Sequence, residues 1–247
     1  MSNSPDLSGG DPAAYQAAEA QAGSHAGRLN SLRAAVLGAN DGIVSTAGIV
    51  IGVAGATPVP FAILTAGIAG LTAGALSMAV GEYVSVSAQR DTESALLDKE
   101  RRELEEMPDE ELAELAGLYE AKGLDSELAL RVAQQLHDHD ALAAHAETEL
   151  GIDPENLTSP WVAAGSSAVS FTIGSLLPLL AIVLAPTALK IPITVVAVAA
   201  ALVLTGYLSA RAGGTPYMRS ILRNVAGGLI AMGVKYWIGR FVGHSLG

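Results

Sequence analysis

The chain has 247 residues, of which 50% are hydrophobic, with no cysteine and a formal net charge of −11. Its mean hydropathy of +0.39 is high for a soluble globule and ordinary for a small polytopic membrane protein. The lack of cysteine excludes a disulfide framework and thiolate metal sites, and the acidic balance argues against nucleic acid, which requires a basic footprint.

The charge is sorted along the chain. Residues 89–160 hold 20 acids and 6 bases, whereas everything else holds 5 acids and 8 bases. That asymmetry implies two phases, a membrane body and an acidic water-facing module. Outside the module and the N-terminal tail only two acids remain, Asp41 and Glu82.

Residues 1–30 are rich in Ser, Gly, Ala and acids and lack the basic start and apolar core of a signal peptide. They read as a disordered cytosolic tail in which His25 is solvated. Residues 34–56 form the first long apolar run, and about 20 helical residues cross a hydrocarbon core of about 30 Å. Arg28 and Arg33 precede it and favour an inside N-terminus. After the turn Thr57-Pro58-Val59-Pro60, residues 61–88 form a second span with Glu82 its only charge. Gly48 with Gly52, and Gly70 with Gly74, have the spacing that lets helix backbones approach closely in lipid.

The insert reads as three helices. The first continues the second span to about Glu106 and breaks at Met107-Pro108, with Pro suited to the first turn of the next helix. The second stops at Gly123. Asp125 or Ser126 caps the third, which carries an apolar stripe of Leu128, Val132, Leu136 and Leu142, runs to about Leu150 and ends at Gly151. Residues 161–189 form a third span containing Pro178 and Pro186, and residues 191–210 a fourth. Arg211, Arg219 and Arg223 place the following loop inside. Residues 225–242 form a fifth span whose Lys235 and Arg240 can snorkel to the interface. The expected architecture is an all-α membrane protein with five transmembrane helices and a cytoplasmic three-helix acidic insert between spans 2 and 3. Its parts are a tail (1–30), spans 1–2 (31–88), the acidic module (89–159) and spans 3–5 (160–247).

An ionisable residue at membrane depth costs at least about 2.5 kcal/mol on insertion scales and so points to function; the structural alternative is pairing with a cation from another span. Met78 lies four residues before Glu82, on the same helix face. A thioether beside a carboxylate suits a transition metal better than Mg²⁺ or Ca²⁺. In the insert, Glu100 and Glu103, Glu111 and Glu114, and His145 and Glu149 are pairs at i,i+3 or i,i+4 spacing that could each grip one divalent ion; the bland alternative is a solvated acidic surface. His137 and His139, at i,i+2, do not share a helix face and are left out. There is no Glu-x-x-His of the ferritin-like type and no phosphate-cradling Gly loop.

The stretches LRAAVLGANDGIVSTAGI (32–49), AGALSMAVGEYVSVSAQRDTE (73–93), the KER…EL…YEAKGL pattern of the insert, SAVSFTIGSLLPLL (167–180) and RNVAGGLIAMGVKYWIGRFVG (223–243) together resemble the vacuolar iron transporter family. The resemblance implies five spans, a homodimer with a pathway at its interface, and export of Fe²⁺, with some Mn²⁺, from the cytosol against protons. It implies Asp41, Met78 and Glu82 as pathway residues. It also implies Glu100, Glu103, Glu111, Glu114, His145 and Glu149 as module ligands, with His145 standing near a position where plant relatives use methionine. The expectation is therefore a proton-coupled metal antiporter and not an enzyme. It needs no permanent cofactor and interacts with divalent metal ions, protons, the lipid bilayer and a second copy of itself. The family name points to a vacuole; the Ala- and Gly-rich spans suit a bacterial plasma membrane, which is preferred here. Two rivals are a membrane-anchored metal buffer or sensor and a di-metal ferroxidase.

Overall fold

The computed structural model describes residues 35–246, so the expectations for the tail, His25, Arg28 and Arg33 lie outside the described residues. Among the described residues there is no strand; the elements are α1 (Ala35–Ala56), α2 (Pro60–Glu106), α3 (Pro108–Ala121), α4 (Ser126–His145), a π-helical turn (Ala146–Leu150), α5 (Pro160–Leu184), a 3₁₀ turn (Thr187–Leu189), α6 (Lys190–Gly213) and α7 (Tyr217–Leu246). Helix α2 runs unbroken from the second apolar run into the acidic insert. Four helices (α1, α2, α5 and α6, the last with its 3₁₀ turn) are long and apolar enough to cross a membrane. Helix α7, at 30 residues, is long enough but not among them. Arg219, Arg223, Lys235, Arg240 and its glycines dilute its hydropathy.

The described residues form two compact units, one of 35–79 with those from Gly165 onward, the other Val80–Ala164. In the first unit α1 is central. Ile43, Ala47, Val50 and Ile51 of α1 are buried together with Ile63 of α2, Leu179 and Ile182 of α5, Val198 and Leu202 of α6, and Met232 of α7. Backbone approach sets this packing. A Cβ added at Gly174 of α5 would stand 2.0 Å from the Ala39 carbonyl oxygen, and one at Gly42 2.2 Å from that of Phe171. Further along α1, a Cβ at Gly239 of α7 would stand 1.8 Å from the Gly52 carbonyl oxygen. Lipid tails supply no hydrophobic drive between helices, so van der Waals contact at small residues does the holding. The Ser175 hydroxyl adds a hydrogen bond to the Gly42 carbonyl at 3.2 Å. Pro178, one turn further along α5, leaves the Gly174 carbonyl without its usual helical donor.

The second unit contains two small cores. Leu115 and Ala116 of α3 pack on Ala133 and Ala144 of α4; Leu97 of α2 packs on Ala146 and Ile152. The expected leucine stripe on α4 is corrected here. Of its members Leu142 packs against the Leu97 core and Val132 is half-buried, but Leu128 and Leu136 are exposed, and the fully buried positions are Ala129, Ala133, Ala144 and His145. Alanines let α3 come close enough for Leu115 to fill the interface, which leucines on that face would prevent. Asp125 caps α4 by accepting from the Leu128 amide at 3.0 Å. The helix does not run regularly to Leu150. It is interrupted at Asp140 (φ −158°, ψ 96°), whose carboxylate accepts from the Ala143 amide at 2.9 Å and so caps the second segment. After His145 the backbone widens into the π turn, and Gly151, at φ 65°, ends it in the left-handed conformation that glycine adopts without penalty.

Gly174→Ala and Gly239→Ala should each destabilise the detergent-solubilised protein by about 1–3 kcal/mol, the usual cost of overpacking. Gly233→Ala, where an added Cβ meets nothing within 4 Å, should change stability by less than about 1 kcal/mol. Thermal melting of the three variants checks this.

Candidate functional site

The first unit presents an open cleft of about 480 Å³ lined by Leu37, Asn40, Asp41 and Val44 of α1, Met78 of α2, and Arg223, Asn224, Gly227 and Gly228 of α7. The α1 residues follow i, i+3, i+4, i+7 spacing, one face of the helix. Gly38 and Gly42 lie on a neighbouring face that is pressed against α5, so the glycine packing fixes which way Asp41 looks. Within the single chain Asp41 is exposed, and its carboxylate accepts a hydrogen bond from Ser45 at 2.9 Å. Asn40 beside it is tied inward: its side-chain oxygen accepts from Thr205 of α6 at 3.0 Å and from Asn224 of α7 at 3.4 Å. The structure thus brings Asp41 and Met78 to one cleft and adds Asn40, Asn224 and Arg223, which sequence reasoning had not singled out. Glu82 lies one helical turn beyond Met78 on α2 and is exposed.

The second unit gathers a different set. One ligand atom each from Glu100, Glu111 and His145 lie within 4.8 Å of one another. They come from three helices, the end of α2, the first turn of α3 and the end of α4. His145 is 0% exposed and Glu100 3%. His145 Nδ1 lies 2.9 Å from a Glu100 oxygen, 3.6 Å from Glu111 and 3.9 Å from Glu149. Despite the 2.9 Å separation, Nδ1 and that Glu100 oxygen have no hydrogen-bond partner among the described residues. A buried polar atom without a partner costs about 1–3 kcal/mol, and a cation shared between these atoms would remove that cost.

The remaining predicted residues sit around this cage. Glu103 is held by Lys99 in an i,i+4 ion pair, Glu114 is exposed, and Glu149 approaches from the π turn. They are near enough to shape the field. Burial, and then the neighbouring carboxylates led by Glu149 and Glu111, push the Glu100 carboxyl up to about 7. Glu111 is raised by burial and by Glu114, and Glu149 by burial and by Glu114. His145 is lowered, by burial first and by His137 second. A site with neutral imidazole nitrogen and carboxylate oxygens suits divalent transition metals, whereas Mg²⁺ and Ca²⁺ favour oxygen alone.

One neighbour escaped the sequence reading. The His137 ring stands edge-on to that of His145, with centroids 6.1 Å apart and planes at 74°. On an uninterrupted helix the eight-residue separation is a rise of about 12 Å; the break at Asp140 shortens it. The Asp-His-Asp run before the break, with a carboxylate three residues ahead of Ala143, was the available signal.

These features define a class: a polytopic helical membrane protein whose chain carries an acidic, histidine-containing helical module. Residues 32–240 match the VIT family model, and the chain belongs to that family. It is 41% identical over 227 residues to a vacuolar iron transporter of Acanthamoeba castellanii, covering 89% of this chain and 81% of that one. It is 35% identical over 220 residues to vacuolar iron transporter homolog 3 of Arabidopsis thaliana, covering 88% and 86%. Vacuolar iron transporter homolog 1 of Oryza sativa subsp. japonica is 36% identical over 217 residues, covering 87% and 75%. These relatives are named as transporters, in keeping with a protein that is not an enzyme.

Metal binding requires the carboxylates deprotonated and the imidazole neutral. With Glu100 at about 7 and His145 shifted below its ordinary value, protons compete at the carboxylates first. Affinity of the full chain in detergent for Fe²⁺ or Mn²⁺ should hold steady above pH 7 and fall by about tenfold per pH unit below it for each proton displaced. Isothermal titration between pH 5.5 and 8 measures it. In Glu100→Gln the remaining affinity should lose the pH 7 inflection.

Proposed function

We propose that this protein is a proton-coupled antiporter exporting Fe²⁺, and also Mn²⁺, from the cytosol. The observation that carries the reading is the buried cage of Glu100, Glu111 and His145, in which a Glu100 oxygen and both His145 nitrogens have no hydrogen-bond partner among the described residues, on the chain of a membrane protein whose relatives are named iron transporters. A buried set of anionic and nitrogen donors is a place to hold a cation. Glu149, Glu103 and Glu114 complete the set as rim ligands that draw ions in.

The proposed path runs by Asp41, Met78 and Glu82. Asp41 supplies a hard oxygen, Met78 a soft sulfur, and Glu82 a second carboxylate one turn on. Because these ligands bind metal in their deprotonated form, metal entry displaces protons and proton entry releases metal. That competition provides the coupling. Five spans are proposed, with α7 as the fifth. Its buried Met232 and its glycine contact with α1 support this despite its hydropathy. The bases following α6 support a cytosolic N-terminus and module, with the C-terminus on the far side. A homodimer is proposed through α2, whose apolar segment is only 11% buried in the single chain and exposes Ile68 and Leu76. A bacterial plasma membrane remains the proposed location, although the relatives cited are named as vacuolar.

Purified protein in liposomes containing an Fe²⁺-quenched dye, under an imposed pH gradient, tests the proposal. Fe²⁺ entry should require the gradient and disappear in Asp41→Asn while that variant keeps its melting temperature. Binding of Fe²⁺ without entry would favour a metal buffer or sensor instead. In Glu111→Gln the metal concentration for half-maximal transport should rise at least about tenfold with the maximal rate preserved. An equal loss of rate at all concentrations would make the module structural.

A further inference from the structure

The cleft at Asp41 has two helical walls, and both can be followed past its end. The α1 wall includes Asp41 and Val44, and helical spacing continues that face through Gly48. The α7 wall includes Asn224 and Gly228, and the same spacing continues that face through Lys235. The two continuations meet. A Cβ added at Gly48 would stand 2.6 Å from Lys235 Nζ, and one at Gly52 would stand 3.7 Å from Lys235 Cβ. The lysine side chain therefore lies along α1, rooted at Gly52 with its ammonium at Gly48. Gly239 meets Gly52 and Gly243 meets Ala56, so α1 and α7 run parallel, and Lys235 points away from the C-terminal ends of both. The expected snorkelling is corrected by this direction: the half-buried Lys235 turns back toward the cleft, as side chains lean toward the N-terminus of their helix. Gly48 lies near the middle of the 22-residue α1.

Among the described residues Lys235 has no ion-pair partner. An ionisable residue held inside a membrane span is a candidate for function, and a fixed cation in a pathway sets an electrostatic barrier to other cations. We propose that Lys235 is such a barrier: its ammonium closes the far end of the Asp41 cleft to cations, so that a divalent ion entering the cleft stops at Asp41 and does not slip onward between α1 and α7. Asp41 and Gly48 are separated by a helical rise of about 10 Å. The carboxylate thus keeps its Ser45 hydrogen bond and stays open to a metal, while the lysine charge acts at short range across a cleft poor in water. Gly48 makes the arrangement possible, since a side chain there would take the place of the lysine's. This rests on the reading of the cleft as the ion's way in, and adds what prevents leakage. An exchanger needs such a stop, because an ion that slips through unexchanged dissipates the gradient that drives the cycle.

The test is a leak measurement on the full chain in liposomes with no pH gradient, Mn²⁺ outside, a Mn²⁺-quenched dye inside, and a potassium ionophore holding the membrane potential at zero. Wild type should admit Mn²⁺ slowly. Lys235→Met, which keeps the length and removes the charge, should admit it at least about tenfold faster. Lys235→Arg, which keeps the charge, should stay as tight as wild type. Chloride flux, read with a chloride-quenched dye, should be the same in Lys235→Met as in wild type. A Met variant as tight as wild type would overturn the inference. An Arg variant as leaky as the Met variant would assign the effect to packing, and equal rises in Mn²⁺ and chloride flux would assign it to a disordered protein; either result removes the barrier role. The leak comparison needs no transport cycle. If wild type takes up no Fe²⁺ under a pH gradient, the antiporter reading falls by itself, and the three leak rates still decide the role of Lys235.

Discussion

Close backbone contact along α1 is the constraint on which the rest of the membrane unit depends. In lipid a helix gains nothing by hiding apolar surface from hydrocarbon, so association must come from fit. Gly42 with Gly174, and Gly52 with Gly239, let two partner helices reach the α1 backbone at different points along it. Those contacts orient α1, and orientation decides which residues reach the cleft. Asn40, bonded to Thr205 and Asn224, adds a polar clasp among three helices at the level of Asp41. The acid is therefore held on a braced element, and its solvation is set by a helix that has little freedom to rotate.

The module works under the opposite constraint. Its parts repel each other, and the repulsion is concentrated where water is excluded. Surface ion pairs such as Lys99 with Glu103 or Arg101 with Asp98 contribute little individually. Among the described residues the central carboxylates have no such Lys or Arg partner, and burial lowers the proton affinity of His145. The group thus stands ready for a divalent ion, with its charge only partly quenched by protons near neutrality.

Much of the fold was legible because its punctuation is chemical. Thr57-Pro58-Val59 falls between α1 and α2 with Pro60 opening α2, Met107 separates α2 from α3 with Pro108 opening α3, and Asp125 and Gly151 cap the ends where they were expected. The α4 face was misread because apolar periodicity ranks leucine above alanine, while close helix packing ranks them the other way. His137 was passed over because it was weighed only against His139, at i,i+2 on an unbroken helix, and Asp140 breaks that helix. For the candidate site, spacing could pair Glu100 with Glu103 and Glu111 with Glu114. It could not tell that one member of each pair turns into the cage while the other meets Lys99 or solvent, since that depends on where α3 and α4 lie against α2. Asn40, Asn224 and Arg223 are ordinary polar residues in sequence and become notable only when three helices converge.

The alanine-built contact between α3 and α4 has a consequence for the life of the module. Alanine loses no rotamer freedom on burial, but it also hides little apolar area, and among the described residues Leu115 is the one large apolar side chain fully enclosed there. A unit with so thin a core draws much of its order from whatever occupies its polar centre. A ligand at a hundred times its dissociation constant adds about 2.7 kcal/mol to the folded state, a large share of such a unit's reserve. Under the proposed metal-collecting role, the module's persistence against proteases is linked to the supply of that ion: a starved cell would hold a looser, more readily degraded module, and a loaded cell a durable one.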